Sequence, residues 1–440
     1  MVVIVPLSYH FATWRKICFQ EFQLAKGRNF VENERNIRIG SEAERERLPL
    51  LTSPDETRDL ALRFGTPLYL VDIGRVVRGL DRLRDGLVAH YPKSEITYSV
   101  KTNYLAGILR GVLAAGYRLE VVSGHELALA EWVGAGPAQI LFNGPSKAPE
   151  DLEHCYRHGI DFHVDSVEEL EQAAALGSCE RPVRLGVRVA ATLANGTVSR
   201  FGVHGDELAA VRRVIAGGTV RLAGLHLHHS SRRDAKSYCE RLDELLRVAA
   251  ELDASLDYFD LGGGIASVPS AEIAAKLSDA VEQPDDLTAT LGQHARRVLG
   301  AEGPQLILEP GIGVLADAME YVTRVTAVKA RPEGTLAVCD GSLFDVNPLR
   351  SSMGPPCSVL AERPAASVRL FGATCMEIDQ VGTLPALPEA GDLVLVSNVG
   401  AYAVSLAPQF CVPMAPVYAV DTGELLRSRQ SLGDFAGAGQ

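Results

Sequence analysis

From about residue 67, short β-branched or apolar runs alternate with Ala/Leu-rich segments of helical spacing, and no other feature restricts the fold of this chain as much. The strand-like runs are 96–100 (ITYSV), 118–122 (RLEVV), 139–142 (QILF), 160–164 (IDFHV), 183–189 (VRLGVRV), 221–228 (RLAGLHLH), 256–261 (LDYFDL) and 305–309 (QLILE). Helical patterns such as ILRGVLAAG, ELALAEWVGAG, VEELEQAAALG and CERLDELLRVAAEL fill most of the gaps, and several end at Gly, as helix C-termini do. Alternating strand–helix units imply a parallel sheet. Eight such units in roughly 240 residues predict a closed (β/α)8 TIM barrel. An open doubly wound sheet would carry G-x-G-x-x-G after its first strand, and none stands there.

After Gly311 the texture changes to short Val-rich runs (EYVTRVTAVKA, GTLAVC, SVRLFG, DLVLVSNVG, APVYAV) separated by Pro and Gly. Helical patterns nearly vanish there, which predicts a mainly β domain, a barrel or sandwich. The expected division is an N-terminal extension at 1–49, a (β/α)8 barrel at 67–312, and a β domain built from 50–66 and 313–440. The run LYLVD at 68–72 fits either part. Residues 1–49 are mixed and poor in periodicity, and no role follows from them.

The 440 residues suffice for two domains, and 47% apolar composition suffices for a sizeable core. A formal net charge of −12 without a basic block argues against nucleic acid and anionic membrane as partners. No apolar run reaches the roughly 18 residues of a membrane helix, and the apolar start lacks a basic leader, so no secretory signal is expected. The eight cysteines lie far apart without a C-x-x-C, which reads as reduced thiols of a cytoplasmic protein.

In such a barrel the chemistry sits at the C-terminal ends of the strands. Lys101 follows the first strand, His226-Leu227-His228-His229-Ser230-Ser231 ends the sixth, Gly262-Gly263-Gly264 follows the seventh, and Glu309-Pro310-Gly311 ends the eighth. A buried strand-end lysine loses stability in its charged form, so its pKa is expected to fall toward that of a nucleophilic amine. Three glycines let backbone N–H groups converge on a phosphate, and a glutamate can pair with a protonated pyridine nitrogen. Each has a plainer reading: a lysine reaching solvent, a tight turn, a salt bridge across the rim. The histidines lack a spacing such as H-E-x-x-H, so no metal is expected. The coincidence of all these groups at one rim selects the chemical reading.

Ten ordered motifs then identify a resemblance: T-P-L-Y-L-V-D (66–72), Y-S-V-K-T-N (98–103), S-G-H-E-L (123–127), S-R-F-G-V (199–203), H-L-H-H-S-S (226–231), D-L-G-G-G (260–264), E-P-G (309–311), C-D-G (339–341), G-A-T-C-M-E (372–377) and G-A-Y (400–402). From about residue 66 to 412 the chain resembles the fold-type III decarboxylases that use pyridoxal 5'-phosphate, the group of diaminopimelate, ornithine and arginine decarboxylases. The resemblance implies an amino-acid decarboxylase in which Lys101 carries the cofactor as a Schiff base. It further implies that His228 stacks on the pyridine face and that Glu309 holds the ring nitrogen. Ser231, the glycine turn with Gly263 and Gly264, Gly311 and Tyr402 would bind the phosphate. Cys375 would come from the partner subunit of a homodimer, with active sites at the interface, and would protonate the substrate carbon after CO2 leaves.

Departures from the family pattern bear on the small-molecule substrate. Diaminopimelate decarboxylases usually carry Arg after E-P-G, where this chain has Ile312, and Arg-Pro where it has Asn347-Pro348. Their Cys-Glu-Ser is Cys375-Met376-Glu377 here. The segment L-F-D-V (343–346) resembles the ornithine type and points to Asp345 for a distal amine, with Glu377 and Tyr402 as further substrate contacts. A less charged distal pocket suits a diamino acid or a conjugated amino acid of the kind met in siderophore or antibiotic assembly. Two alternatives are an amino-acid racemase on the same scaffold, disfavoured because racemases usually set Arg against the ring nitrogen, and a non-catalytic regulator, disfavoured by retention of Lys101, Glu309 and Cys375.

Overall fold

The computed structural model describes residues 50–192, 196–229, 233–266, 283–350 and 354–437. Eight parallel strands close into a barrel: β2 (Ser94–Ser99), β3 (Arg118–Val121), β4 (Ile140–Phe142), β5 (Asp161–Val164), β6 (Val183–Arg188), β7 (Val220–His226), β8 (Tyr258–Asp260) and β9 (Gln305–Leu308). Closure is made by β2 against β9, with Ser94 opposite Leu306 and Ile96 opposite Leu308. All eight expected strands are present, with no end shifted by more than two residues. These strands are buried on both faces, which is why they read as nearly continuous apolar runs.

Helices follow the strands, and three of those in the barrel are started by side-chain caps. Ser123 accepts the N–H of Glu126 at 3.2 Å, Ser166 that of Glu169 at 3.1 Å, and Asp234 that of Ser237 at 2.7 Å. Among the described residues no helix is long and apolar enough to cross a membrane.

Two glycines decide what fills the barrel axis. A Cβ on Gly224 would stand 2.1 Å from the Tyr258 ring, and one on Gly186 would stand 2.3 Å from His163 Cδ2. The absent side chains leave room for two rings, with Tyr258 packed among Leu141, Ala223 and Ile307. Gly224→Ala is therefore expected to overpack the interior and to cost about 1–3 kcal/mol. A lowered urea midpoint at unchanged slope would register it; an unchanged midpoint would mean that Tyr258 moves aside freely.

The second sheet is built around β1 (Leu68–Val71), which pairs antiparallel with β10 (Met319–Arg331) and parallel with β16 (Val417–Ala419). β11 (Gly334–Cys339), β13 (Ala365–Phe371) and β14 (Gln380–Ala386) extend it on one side, β17 (Glu424–Arg427) on the other, while β15 (Leu393–Ser397) links β10 to β12 (Cys357–Val359). Of the run 68–72, which fitted either part, Leu68–Val71 thus lies in this β sheet, and Asp72 caps the helix Ile73–Val88 that follows. Helix Pro54–Phe64, begun by a Ser53–Glu56 capping box, packs Ala61, Leu60 and Phe64 against Leu68, Leu70, Val322 and Leu395 of this sheet.

Candidate active site

The rim of the barrel surrounds a cavity of about 350 Å³. Its lining includes Lys101, His228, Gly263, Gly264, Glu309, Gly311 and Tyr402, so seven of the expected site residues meet in one place. Ser231 falls outside the described residues. Cys375, Asp345 and Glu377 are not among the described residues that line it.

Lys101 is set by a single 3-10 turn, Val100–Thr102, that follows β2 directly. Its Nζ donates to Glu120 Oε2 at 2.6 Å and to Ser99 Oγ at 2.7 Å, and Ser99 Oγ donates to the same Glu120 oxygen at 2.6 Å. Burial pushes the amine down, but Glu120 and then Glu309 outweigh it, and the pKa stands above the ordinary lysine value. The expectation of a lowered lysine is corrected by this counter-ion, which burial alone does not reveal.

Glu309, at the end of β9, is buried, and its Oε1 accepts a close hydrogen bond from Asn143 Nδ2. Burial, then Asp260 and Glu120, raise its carboxyl well above the usual range. His228 Nδ1 accepts the N–H of Gly263 at 3.1 Å, which fixes the ring orientation, and burial and Lys101 hold the imidazole neutral.

The glycine turn is pinned beneath the cavity. Gly263 O accepts from Tyr238 Oη at 2.7 Å and from Arg241 Nη1 at 3.2 Å. Gly262 (φ +66°) and Gly264 (φ +94°) take the left-handed backbone that glycine favours. A Cβ on Gly263 would meet Glu309 O at 2.3 Å, so the turn and the strand end close on each other.

Tyr402 comes from the β domain. Its φ of +64° is unusual for a side chain of that size and costs roughly 1–2 kcal/mol. Its N–H donates to Thr102 O at 2.9 Å, which ties it to the turn that carries Lys101. Asn103 Nδ2 adds a second tie, to Gly400 O at 3.1 Å.

Asp345 stands in the first turn of a short helix of the β domain. Its Oδ2 accepts from Tyr321 Oη at 2.5 Å and from Ser342 N–H at 3.1 Å, closing a capping box on the short helix Leu343–Val346. Cys375 and Glu377 are exposed on the loop between β13 and β14, with Cys411 hydrogen-bonded beside Cys375.

Glu120, Asn143, Arg188 and Ser99 line the cavity without having been singled out from the sequence. A signal existed for two of them: Glu120 is a carboxylate inside the apolar run RLEVV, and Asn143 directly follows QILF. The strand-end rule that found Lys101 applies equally to Asn143.

Residues 75–316 match the family described as pyridoxal-dependent decarboxylase, pyridoxal binding domain. A diaminopimelate decarboxylase of Actinosynnema pretiosum subsp. auranticum is 32% identical over 86% of this chain and 89% of its own length. A probable chloroplastic diaminopimelate decarboxylase of Oryza sativa subsp. japonica is 29% identical over 83% of this chain and 77% of its own. Among solved structures, diaminopimelate decarboxylase from M. jannaschii in complex with L-lysine superposes with a TM-score of 0.78 at 22% identity, covering 87% of this chain and 94% of that one. Lysine/ornithine decarboxylase from Vibrio vulnificus, complexed with putrescine, gives 0.70 at 22% identity, covering 83% and 97%. The solved structures share the fold.

Proposed function

The chain belongs to the pyridoxal-dependent decarboxylases, and on that premise we propose which residues carry its reaction and which kind of amino acid it takes. It is an enzyme that removes the α-carboxylate of an amino acid, with pyridoxal 5'-phosphate as cofactor. Bound pyridoxal phosphate supplies an electron sink for the pair left on the substrate carbon when CO2 departs. The cavity suits that group: an amine at one side, a neutral imidazole, a buried carboxyl and a glycine turn all face it.

In this reading Lys101 Nζ would hold the cofactor covalently, and Glu120, its hydrogen-bond acceptor, would be placed to receive the proton that a lysine ammonium must give up to act as a nucleophile. His228, fixed through Gly263, presents its ring to the pyridine face. Glu309 meets the ring nitrogen. Gly263, Gly264, Gly311 and Tyr402, with Ser231, receive the phosphate. A carboxyl rather than a guanidinium beside the nitrogen favours decarboxylation over racemisation.

A homodimer completes the site. The support is the exposed Cys375, off its own chain's cavity and neighboured in sequence by the exposed Met376 and Ile378. Phe410, next to Cys411, and Leu406 are exposed too. Covered by a second copy, this face would present Cys375 to the other cavity as proton donor to the substrate carbon. The seven described cysteines are all free thiols, which supports a cytoplasmic setting.

The observation that carries the substrate class is Ile312 on the cavity wall, where diaminopimelate decarboxylases usually place Arg. Each charged hydrogen bond lost there costs about 1.5–3 kcal/mol. The substrate is therefore an amino acid with a less charged distal end than diaminopimelate, a diamino acid or a conjugated one. In a CO2-release screen of diaminopimelate, lysine, ornithine and Nω-acylated diamino acids, one of the latter three should give the highest kcat/KM. Diaminopimelate ahead of them all by tenfold or more would overturn this reading.

A further inference from the structure

Barrel interiors of this class are ordinarily filled by branched aliphatic side chains. Here a polar column runs along the axis and ends under the cavity. Tyr258 Oη lies 2.9 Å from His163 Nε2, and His163 Nδ1 lies 4.0 Å from Asp260 Oδ2. His163, Asp260 and Glu309 each bring one polar atom within 4.8 Å of the others, and all four side chains are buried.

Asp260 is aimed by its backbone. The N–H of Gly262 donates to Oδ1 at 2.8 Å, while Oδ2 has no donor among the described residues, nor has His163 Nδ1 a partner. Oδ2 is left to Glu309, whose nearest oxygen lies within 4.8 Å of the Asp260 carboxylate, and two carboxyl groups that close and that buried hold one proton between them rather than two charges. We propose that Asp260 is a positioning residue for the decarboxylation: it shares one proton with Glu309 and, backed by His163 and Tyr258, fixes the carboxyl that meets the ring nitrogen. The inference rests on the reading that Glu309 faces that nitrogen.

The surroundings agree. Lys101 from the β2 turn, Glu120 from β3, Asn143 after β4 and His226 from β7 face Glu309, and Arg118 from β3 acts on Asp260. Burial raises Asp260 to about 7 and Glu309 in the same direction. His163 and His226 are held neutral by burial and by the cations around them, so neither competes for the proton. With a cationic ring nitrogen against Glu309, the shared proton would lie toward Asp260 and leave Glu309 as the carboxylate that keeps that nitrogen protonated.

Asp260→Asn leaves the charge beneath the ring unchanged but replaces a carboxyl O–H by a weaker amide donor to Glu309, so Glu309 becomes the stronger base and the nitrogen should hold its proton more tightly. The pH titration of the bound cofactor's absorbance should move up by about one unit, and, with the carboxyl less firmly fixed, kcat should fall about tenfold with KM little changed. His163→Gln, which keeps a partner for Tyr258, should move the titration in the same direction and serves if the first variant folds poorly. Glu309→Gln is the companion: it should bind cofactor yet lose at least about 10²-fold in kcat. If Glu309→Gln is impaired while Asp260→Asn and His163→Gln titrate and turn over as wild type, the inference is wrong and the reading of Glu309 stands. Wild-type turnover in Glu309→Gln would sink that reading and the inference with it. A stoichiometric metal found in the purified enzyme and bound by the trio would also overturn proton sharing.

Discussion

Lys101→Ala is expected to purify without the yellow absorbance of a lysine-bound cofactor and with no measurable turnover, a loss of at least about 10³-fold or 4 kcal/mol. The amine is the nucleophile that holds the cofactor, and no other lysine lines the cavity among its described residues. Lys147 sits elsewhere, its Nζ on Gly144 O at 2.8 Å and on Glu169 at 3.2 Å. The substitution also strands the buried Glu120 without its cation, so a loss of stability accompanies it. Lys101→Gln separates the two effects, because an amide still donates to Glu120 but forms no bond to the cofactor. Both variants should be inactive, and the glutamine variant should be nearer wild type in stability. A borohydride-reducible adduct at another lysine together with retained turnover would show the assignment to be wrong.

Mixing Lys101→Ala with Cys375→Ala subunits should restore activity that neither variant has alone. Lys101 lines the cavity, while Cys375 is exposed on the β13–β14 loop and does not. If the thiol acts on the neighbouring subunit, each mixed dimer has one site with both groups and one with neither. After free exchange half the dimers are mixed, so activity should rise to about a quarter of wild type. The commoner fate of a lone cysteine is to be a small buried apolar side chain, and the exposure of Cys375 speaks against that. With exchange verified by subunits of different mass, a lack of recovery would place both residues at a single chain's site.

The barrel was legible because parallel strands covered on both faces leave continuous apolar runs, and the rim residues were legible because each stands at the end of such a run or directly after it. Lys101, His228 and Glu309 share that position. Glu120 and Asp260 lie within the runs RLEVV and LDYFDL, where a polar residue looks the same whether it points to solvent or to the axis. The direction of the Lys101 shift was misread because a counter-ion 19 residues away in sequence decides it. Asp345 shows how one segment carries two signals, because Ser342-Leu343-Phe344-Asp345 also fits a helix cap, and its Oδ2 accepts from the Ser342 N–H there.

The placement of β1 has a consequence for how the polypeptide is made. Leu68 pairs with Val322, about 250 residues later, and Tyr69 with Val417, later still. At roughly 5–20 residues per second, a ribosome needs about 12–50 s to supply even the first partner. Throughout that interval an apolar strand with two open edges accompanies a barrel that is assembling downstream of it, a state that invites pairing with other chains. The second sheet can therefore close only after translation is nearly finished. A transcript cut after residue 312 would yield a barrel trailing an unpaired LYLV segment, and its product should be recovered from the insoluble fraction.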